Sequence, residues 1–505
     1  MAMLATVDQI GFFVSAYYFV IVSLLILVVC VASYICDERI PLHKVYFCLV
    51  IIFGVLFCAV LPPYSAPDEE YHINQAFSFA SSITDKLSVT PDTASNAYLL
   101  TNTDTVLQKQ DTTVFTWRAF INDIRCRCGG DINYNPHVDV QVDRNRQLYV
   151  VSGIGVAIGI VLHLNFAMTL MLGRLLNLLI YALFTGYAVK KAPFGNKIFA
   201  AIGMLPICLQ QAASFSYDCL TLSFAFSFTA LCLNLACGLH EKIKLKQIIP
   251  VAILGILLVP SKVVYFPLGL LIFLIPSKRL KYGMKAKTAL FMLFVVAFLI
   301  SGARSAVQTL FEKTSEEATA SSAEQYNEAN EELSIEDKYR EMDKICYSLD
   351  YILAYPGQTI QLVARSIMKL GDHYLKTMVG GSLSYFSVDI SWIWVVLLYL
   401  ILSWVTIPED GELSWNGSLS QIWAGLVALG CFALVVLGFV TVTPTYYTTI
   451  YGLQGRYFLP ALPLMLLVLR PSKIHSQRKD NLFCAVLALV NMGVLINAYL
   501  VILAR

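Results

Sequence analysis

Charge is what this 505-residue sequence has least of. Asp, Glu, Lys and Arg make up 14% of it, against about 25% in an average soluble chain. Hydrophobic residues supply 57% and the mean hydropathy is +0.66, so lipid is the solvent the chain is built for. A net charge of only +2, with no continuous basic stripe, excludes nucleic acid as the partner. A disulfide framework is missing too. Most of the 13 cysteines (Cys30, Cys48, Cys58, Cys208, Cys232, Cys237, Cys431 and Cys484 among them) lie in apolar runs, where a thiol is a small hydrophobe. Cys126 and Cys128 form a CxC in polar sequence with no second metal-ligand pair beside it, which argues against a metal site. The first apolar run lacks a basic leader and a small-residue cleavage site and ends in Cys36-Asp37-Glu38-Arg39, so it is expected to stay as a membrane helix.

What is present is a series of runs near the ~20 apolar residues that a crossing requires. They fall at about 10–35, 45–63, 166–189, 197–215, 219–239, 288–307, 386–407, 419–442, 454–469 and 482–503. Between 248 and 276, Pro260, Ser261, Lys262 and Pro267 interrupt one apolar stretch, predicting two short helices that meet at a polar tip. The expectation is an all-α polytopic membrane protein of about 12 segments. Lys and Arg mark cytoplasmic loops. They gather at Arg39 and Lys44, Lys190 to Lys197, Lys242 to Lys246, Lys278 to Lys287 and Arg470 to Lys479, in alternate loops, while the turns Ser214 to Asp218 and Thr443 to Leu453 have none. Both termini and two large loops, 64–165 and 308–385, therefore come out extracytoplasmic.

The apolar stretch Leu148 to Leu164 inside the first loop is expected to be re-entrant or interfacial, because a crossing there would reverse every later loop. The second loop opens with an acidic insertion, 311–344, in which eleven acids face four bases, and this reads as a solvated helix or tether. After Pro356, Thr359 to Leu375 alternates apolar and polar residues at helical spacing, which suits a helix at the membrane surface.

Three polar clusters sit at outer segment ends. The first is Pro67-Asp68-Glu69-Glu70-Tyr71-His72, directly after the second run. Pro67 in a first helical turn would place Asp68 and His72 one turn apart. Carboxylates and an imidazole there can act as a general base, fix a tautomer or ligate a divalent cation. A helix N-terminus satisfying its dipole would also collect acids. The second cluster, Gln210 to Asp218, contains Tyr217 and Asp218; Asp218 either bonds a sugar hydroxyl or a cation, or caps the following span with Ser214 and Ser216. The third is Gly452 to Pro460, with Gln454 and Arg456. A guanidinium suits phosphate, and Lys262 is a second cation on the same side. Arg456 could equally snorkel or pair with Asp68 or Asp218.

In order, Pro67-Asp68-Glu69 with His72, the SxSYD of Ser214 to Asp218, and Gln454-Gly455-Arg456-Tyr457 with Pro460 resemble the bacterial membrane-protein family catalogued as domain of unknown function 2142. The likeness runs over about 45–470 and takes in Gly173-Arg174-Leu175-Leu176-Asn177, Leu205-Pro206, and Lys262 with Tyr265 and Pro267. The departures are an additional helix within 1–44, the acidic insertion, and a first loop that is longer and less regular before Leu148; a basic loop and a last helix follow in 471–505. That family looks like the GT-C superfamily of membrane glycosyltransferases. The resemblance implies a GT-C-like bundle in the bacterial cytoplasmic membrane, with interfacial helices in its outer loops. It further implies transfer of a sugar from a polyprenyl-phosphate donor to an extracytoplasmic glycan acceptor, by single displacement with inversion. Asp68 or Glu69 would be the base, His72 its orienting partner, and Arg456 with Lys262, Gln454, Asp218 and Tyr217 would bind substrate and phosphate. Mg or Mn is compatible with this cluster, although no DxD is present and no metal ligand set is assigned. A flippase of lipid-linked glycan competes, but such proteins carry inverted repeats and intramembrane charge, whereas here the charges are expected at membrane surfaces. A non-catalytic subunit docked through 311–344 is the third reading.

Overall fold

A computed structural model of the chain describes residues 40–84, 117, 120, 124, 146–301, 346–471, 474–476 and 482–504. The expected helix at 10–35, the Cys126/Cys128 pair and the acidic insertion 311–344 lie outside them. The helices are α1 (Leu42–Val60), α2 (Glu69–Thr84), α3 (Val150–Val161), α4 (Phe166–Lys191), α5 (Asn196–Gly203), α6 (Pro206–Ala212), α7 (Asp218–Cys237), α8 (Leu245–Ser261), α9 (Gly283–Ser301), α10 (Leu349–Ala354), α11 (Pro356–Val379), α12 (Trp392–Val405), α13 (Ser418–Thr441), α14 (Leu462–Val468) and α15 (Leu482–Leu503). A small hairpin, β1 (Ser382–Leu383) with β2 (Val388–Asp389), precedes α12.

Six of these helices, α1, α4, α7, α9, α13 and α15, are long and apolar enough to cross a membrane. The other expected crossings are interrupted, each for a local reason. Leu205 is extended ahead of Pro206, which splits the 197–215 run into α5 and α6. Within 386–407, the hairpin takes the first residues and leaves the 14-residue α12. Pro460 and Pro463 restrict the 454–469 run to a 3₁₀ turn, Gly455–Phe458, and the 7-residue α14. At 248–276 the expected break is found at Lys262, whose backbone is extended, but the second half, Val263–Leu274, is a 3₁₀ helix. The Leu148 to Leu164 stretch forms the 12-residue α3, about 18 Å long and too short for a ~30 Å hydrocarbon layer.

The described residues divide into two compact units. The first comprises the chain up to Ala230, Val379–Ser414 and the chain from Leu469. Here α3 packs between α2 and α4. Gly155 and Gly159 make the approach to α4 possible, because a Cβ on Gly155 would lie 2.7 Å from the Cα of Gly173 and one on Gly159 2.7 Å from Thr169 Oγ1. Asn165 caps α4 by accepting from the Met168 amide. The second unit, Leu231–Met378 with Trp415–Val468, packs α13 against the 3₁₀ segment and α14. Phe266 anchors α9 there through rings of Phe291, Phe294 and Phe298.

Candidate functional site

The first unit builds its polar centre on the loop that follows α1. Leu61 to Pro67 are all buried, and Asp68, which comes next, is exposed. Tyr64 and Asp68 hold left-handed backbones (φ 68° and 57°), a conformation that costs a non-glycine residue about 1 kcal/mol. Strain of this kind persists only where neighbours enforce it.

Glu69 and Arg174 are those neighbours. Glu69 is 1% exposed and accepts from the amides of Ala66 (3.1 Å) and Phe215 (3.2 Å), with Arg174 Nε 3.7 Å away. Arg174, equally buried, donates to the carbonyls of Leu61 (2.9 Å), Cys58 (3.5 Å) and Ala213. One ion pair thereby ties the end of α1, the start of α2 and the turn before α7. Burial pushes the Glu69 carboxyl up from the ordinary carboxylate range, against the opposing pull of Arg174 and the loop amides. Arg174 is a charge within a candidate span, about 12 Å from the start of a helix some 39 Å long, where it pairs with Glu69 and donates to three backbone carbonyls.

His72 begins the next turn, its amide donating to the Asp68 carbonyl at 3.2 Å. Its ring is 7% exposed, Nδ1 lies 2.8 Å from the Tyr149 hydroxyl, and Tyr217 meets it edge-on at 5.2 Å. The Gln210 to Asp218 stretch is a serine-built turn. Ser214 accepts from the Ser216 amide and Ser216 from the Asp218 amide, so Ser216 caps the first amide of α7 and Ser214 closes the turn before it. The Asp218 carboxylate instead accepts from Gln211 Nε2 at 3.2 Å. Gln210 bonds both backbone groups of Ser384, whose hydroxyl donates to the Ser65 carbonyl at 2.9 Å, pinning the β-hairpin against the buried loop.

The second unit holds the remaining candidates. Lys262 Nζ stands 4.6 Å from the Tyr457 ring centroid and Arg456 Cζ 5.0 Å from it, so two cations share one aromatic ring. Arg456 Nη2 also donates to the Tyr457 hydroxyl (3.0 Å), and Tyr265 donates to the Tyr457 carbonyl (2.7 Å). Gln454 and Arg456 are buried, and the Gly455 amide donates to Thr377 Oγ1 at 2.8 Å. Only glycine fits at 455, since a Cβ would lie 2.0 Å from the Tyr374 carbonyl oxygen.

The site residues named from sequence thus fall into two groups: Asp68, Glu69, His72, Tyr217 and Asp218 in the first unit, and Lys262, Gln454 and Arg456 in the second. Among the described residues no set of three or more His, Cys, Asp and Glu side chains is arranged to hold a metal. Sequence reasoning gave no role to Arg174, Tyr149 or Ser384. Arg174 could have been found as a charge within a span; Tyr149 and Ser384 carry no local signal, because their partners are remote in sequence.

Comparison with curated proteins and with solved structures finds no match. A family model described as "Predicted membrane protein (DUF2142)" matches residues 48–465. That range holds both polar groups and four fifths of the chain, and the protein belongs to this family of membrane proteins of unknown function.

Proposed function

We propose that this membrane protein is a glycosyltransferase that moves a sugar from a polyprenyl-phosphate donor to an extracytoplasmic glycan acceptor, with Asp68 as the base. One observation carries the reading: Asp68 presents an exposed carboxylate on a left-handed backbone, at the end of a buried loop directly beyond a span. Glu69, committed to Arg174 and two amides, is a positioning residue in this scheme. Asp68 takes the proton of the acceptor hydroxyl, and the oxygen attacks C1 from the face opposite the leaving group. The C1–O bond to phosphate breaks, the anomeric centre inverts and polyprenyl phosphate leaves with the negative charge. His72, held by Tyr149, is assigned to orient the base, and Tyr217 and Asp218 to bind sugar hydroxyls. Within the second unit, Gln454 adjoins two cations, Arg456 and Lys262, of the kind that bind a phosphate.

The test uses purified protein in nanodiscs with polyprenyl-phosphate sugars and follows release of polyprenyl phosphate. Asp68→Asn should lower turnover by about 100-fold or more, the range for a lost general base, with no change in melting temperature. Full activity in that variant sinks the assignment.

A flippase reading rests on the discontinuity at Lys262, since broken helices line transporter sites. Movement of a labelled sugar lipid across proteoliposomes without sugar transfer is the result that would favour it.

A further inference from the structure

Within the second unit, α11 divides its surface into three sectors. At 100° per residue, Ile360, Ile367, Met368 and Leu375 fall in an arc of about 100°. They are 68%, 61%, 86% and 47% exposed. Gln361, Arg365, Lys369 and Asp372 form a second exposed sector. The third faces inward and contains the buried hydroxyls of Ser366 and Thr377, which accept from the amides of Ile450 and Gly455, both at 2.8 Å. A soluble helix would not leave an apolar stripe of this length facing outward.

The path of the chain says what covers that stripe. The segment 443–455 begins where the span α13 ends at Thr441 and leads back to the apolar α14. Tyr347, ahead of α10 and α11, donates its amide to the Thr443 carbonyl at 3.0 Å, and Cys346 bridges Pro444. The helix is thus fastened to the 443–455 segment near its start, at Ile450 and at Gly455. A helix fastened along the segment that leaves a candidate span at its end lies close to the bilayer boundary. Arg365 and Lys369 then border the apolar stripe as phosphate-binding cations do in interfacial helices.

We propose that Pro356–Val379 is a membrane-docking helix whose apolar stripe sits in the headgroup and acyl boundary, whose Arg365 and Lys369 edge meets lipid phosphates, and whose hydroxyl face holds the Gln454 to Tyr457 loop at that depth. The inference is independent of the glycosyltransferase reading, because it concerns lipid contact and loop position only.

The experiment places benzoylphenylalanine at Met368, with Ile367 intact or changed by Ile367→Asp, in full-length protein in nanodiscs of phosphatidylcholine doped with phosphatidylglycerol. After irradiation, intact mass should show lipid adducts from position 368, at about five-fold lower yield with Ile367→Asp. Equal yields, or a protein dimer in place of the lipid adduct, overturn the proposal, the dimer giving the stripe to a second copy. In the same nanodiscs, Ile367→Asp with Met368→Asp should speed hydrogen exchange at the Ile450 and Gly455 amides by about ten-fold as the helix lifts. Unchanged exchange removes the coupling between docking and the loop.

Discussion

Asp68 and Glu69 are neighbours whose carboxylates meet opposite environments, and their substitutions should separate accordingly. Asp68→Gly removes the left-handed penalty but adds unfolded-state entropy. The two effects are each about 1 kcal/mol and nearly cancel, so thermal unfolding should barely move while turnover falls. Breaking the buried pair is different. Arg174→Met strands Glu69 without its partner and should cost about 3–5 kcal/mol, and adding Glu69→Gln to it should recover part of that loss. If Arg174→Met melted like the parent, the clamp around the Asp68 loop would carry no weight. The sequence singled out Pro67 to His72 as the informative stretch, but not which acid is buried and which exposed. That difference follows from Arg174, far along the chain, and from amides at Ala66 and Phe215, none of which local spacing reveals.

Elements show where periodicity works and where it stops. The runs for α1, α4, α7, α13 and α15 were legible because a long helix in lipid needs only length and apolarity. The breaks at Pro206 and in the 382–389 hairpin were hidden, because buried short helices are as apolar as a crossing and strands of two residues are too short to show a period. Packing between α3 and α4 depends on missing side chains, which hydropathy does not report. Gly155→Ala would drive a Cβ into the Gly173 backbone and should cost about 1–3 kcal/mol. Gly186→Ala, on α4, meets its nearest atom at 3.8 Å and should be neutral or stabilising by up to about 1 kcal/mol. In α11, burial holds the His373 imidazole below its ordinary value of 6.5, with Asp372 opposing. The unfolded chain therefore takes a proton that the folded helix resists. Stability from this group is present above pH 6.5 and is lost as pH falls through the folded value, so unfolding scans should show an acid-side decline that His373→Gln lacks.

At the scale of the whole chain, orientation rests on where cations were placed along the sequence, and that remains the most exposed consequence of the functional reading. Lys190 and Lys242 lie in loops expected inside the cell, and Ser82 and Thr445 in loops expected outside; all four are exposed. Introducing Ser82→Cys or Thr445→Cys should add maleimide labelling, over the parent's own background, when an impermeant reagent is applied to intact cells. Lys190→Cys and Lys242→Cys should label only after the membrane is opened. The reverse pattern would put Asp68 on the cytoplasmic side, where an extracytoplasmic acceptor is out of reach, and transfer at the outer face would fail with it. The docking helix would survive that outcome, since a bilayer offers phosphates on both faces. Labelling of Ser82→Cys from outside, together with loss of turnover in Asp68→Asn at unchanged melting temperature, is the combination that neither a flippase nor a non-catalytic subunit produces.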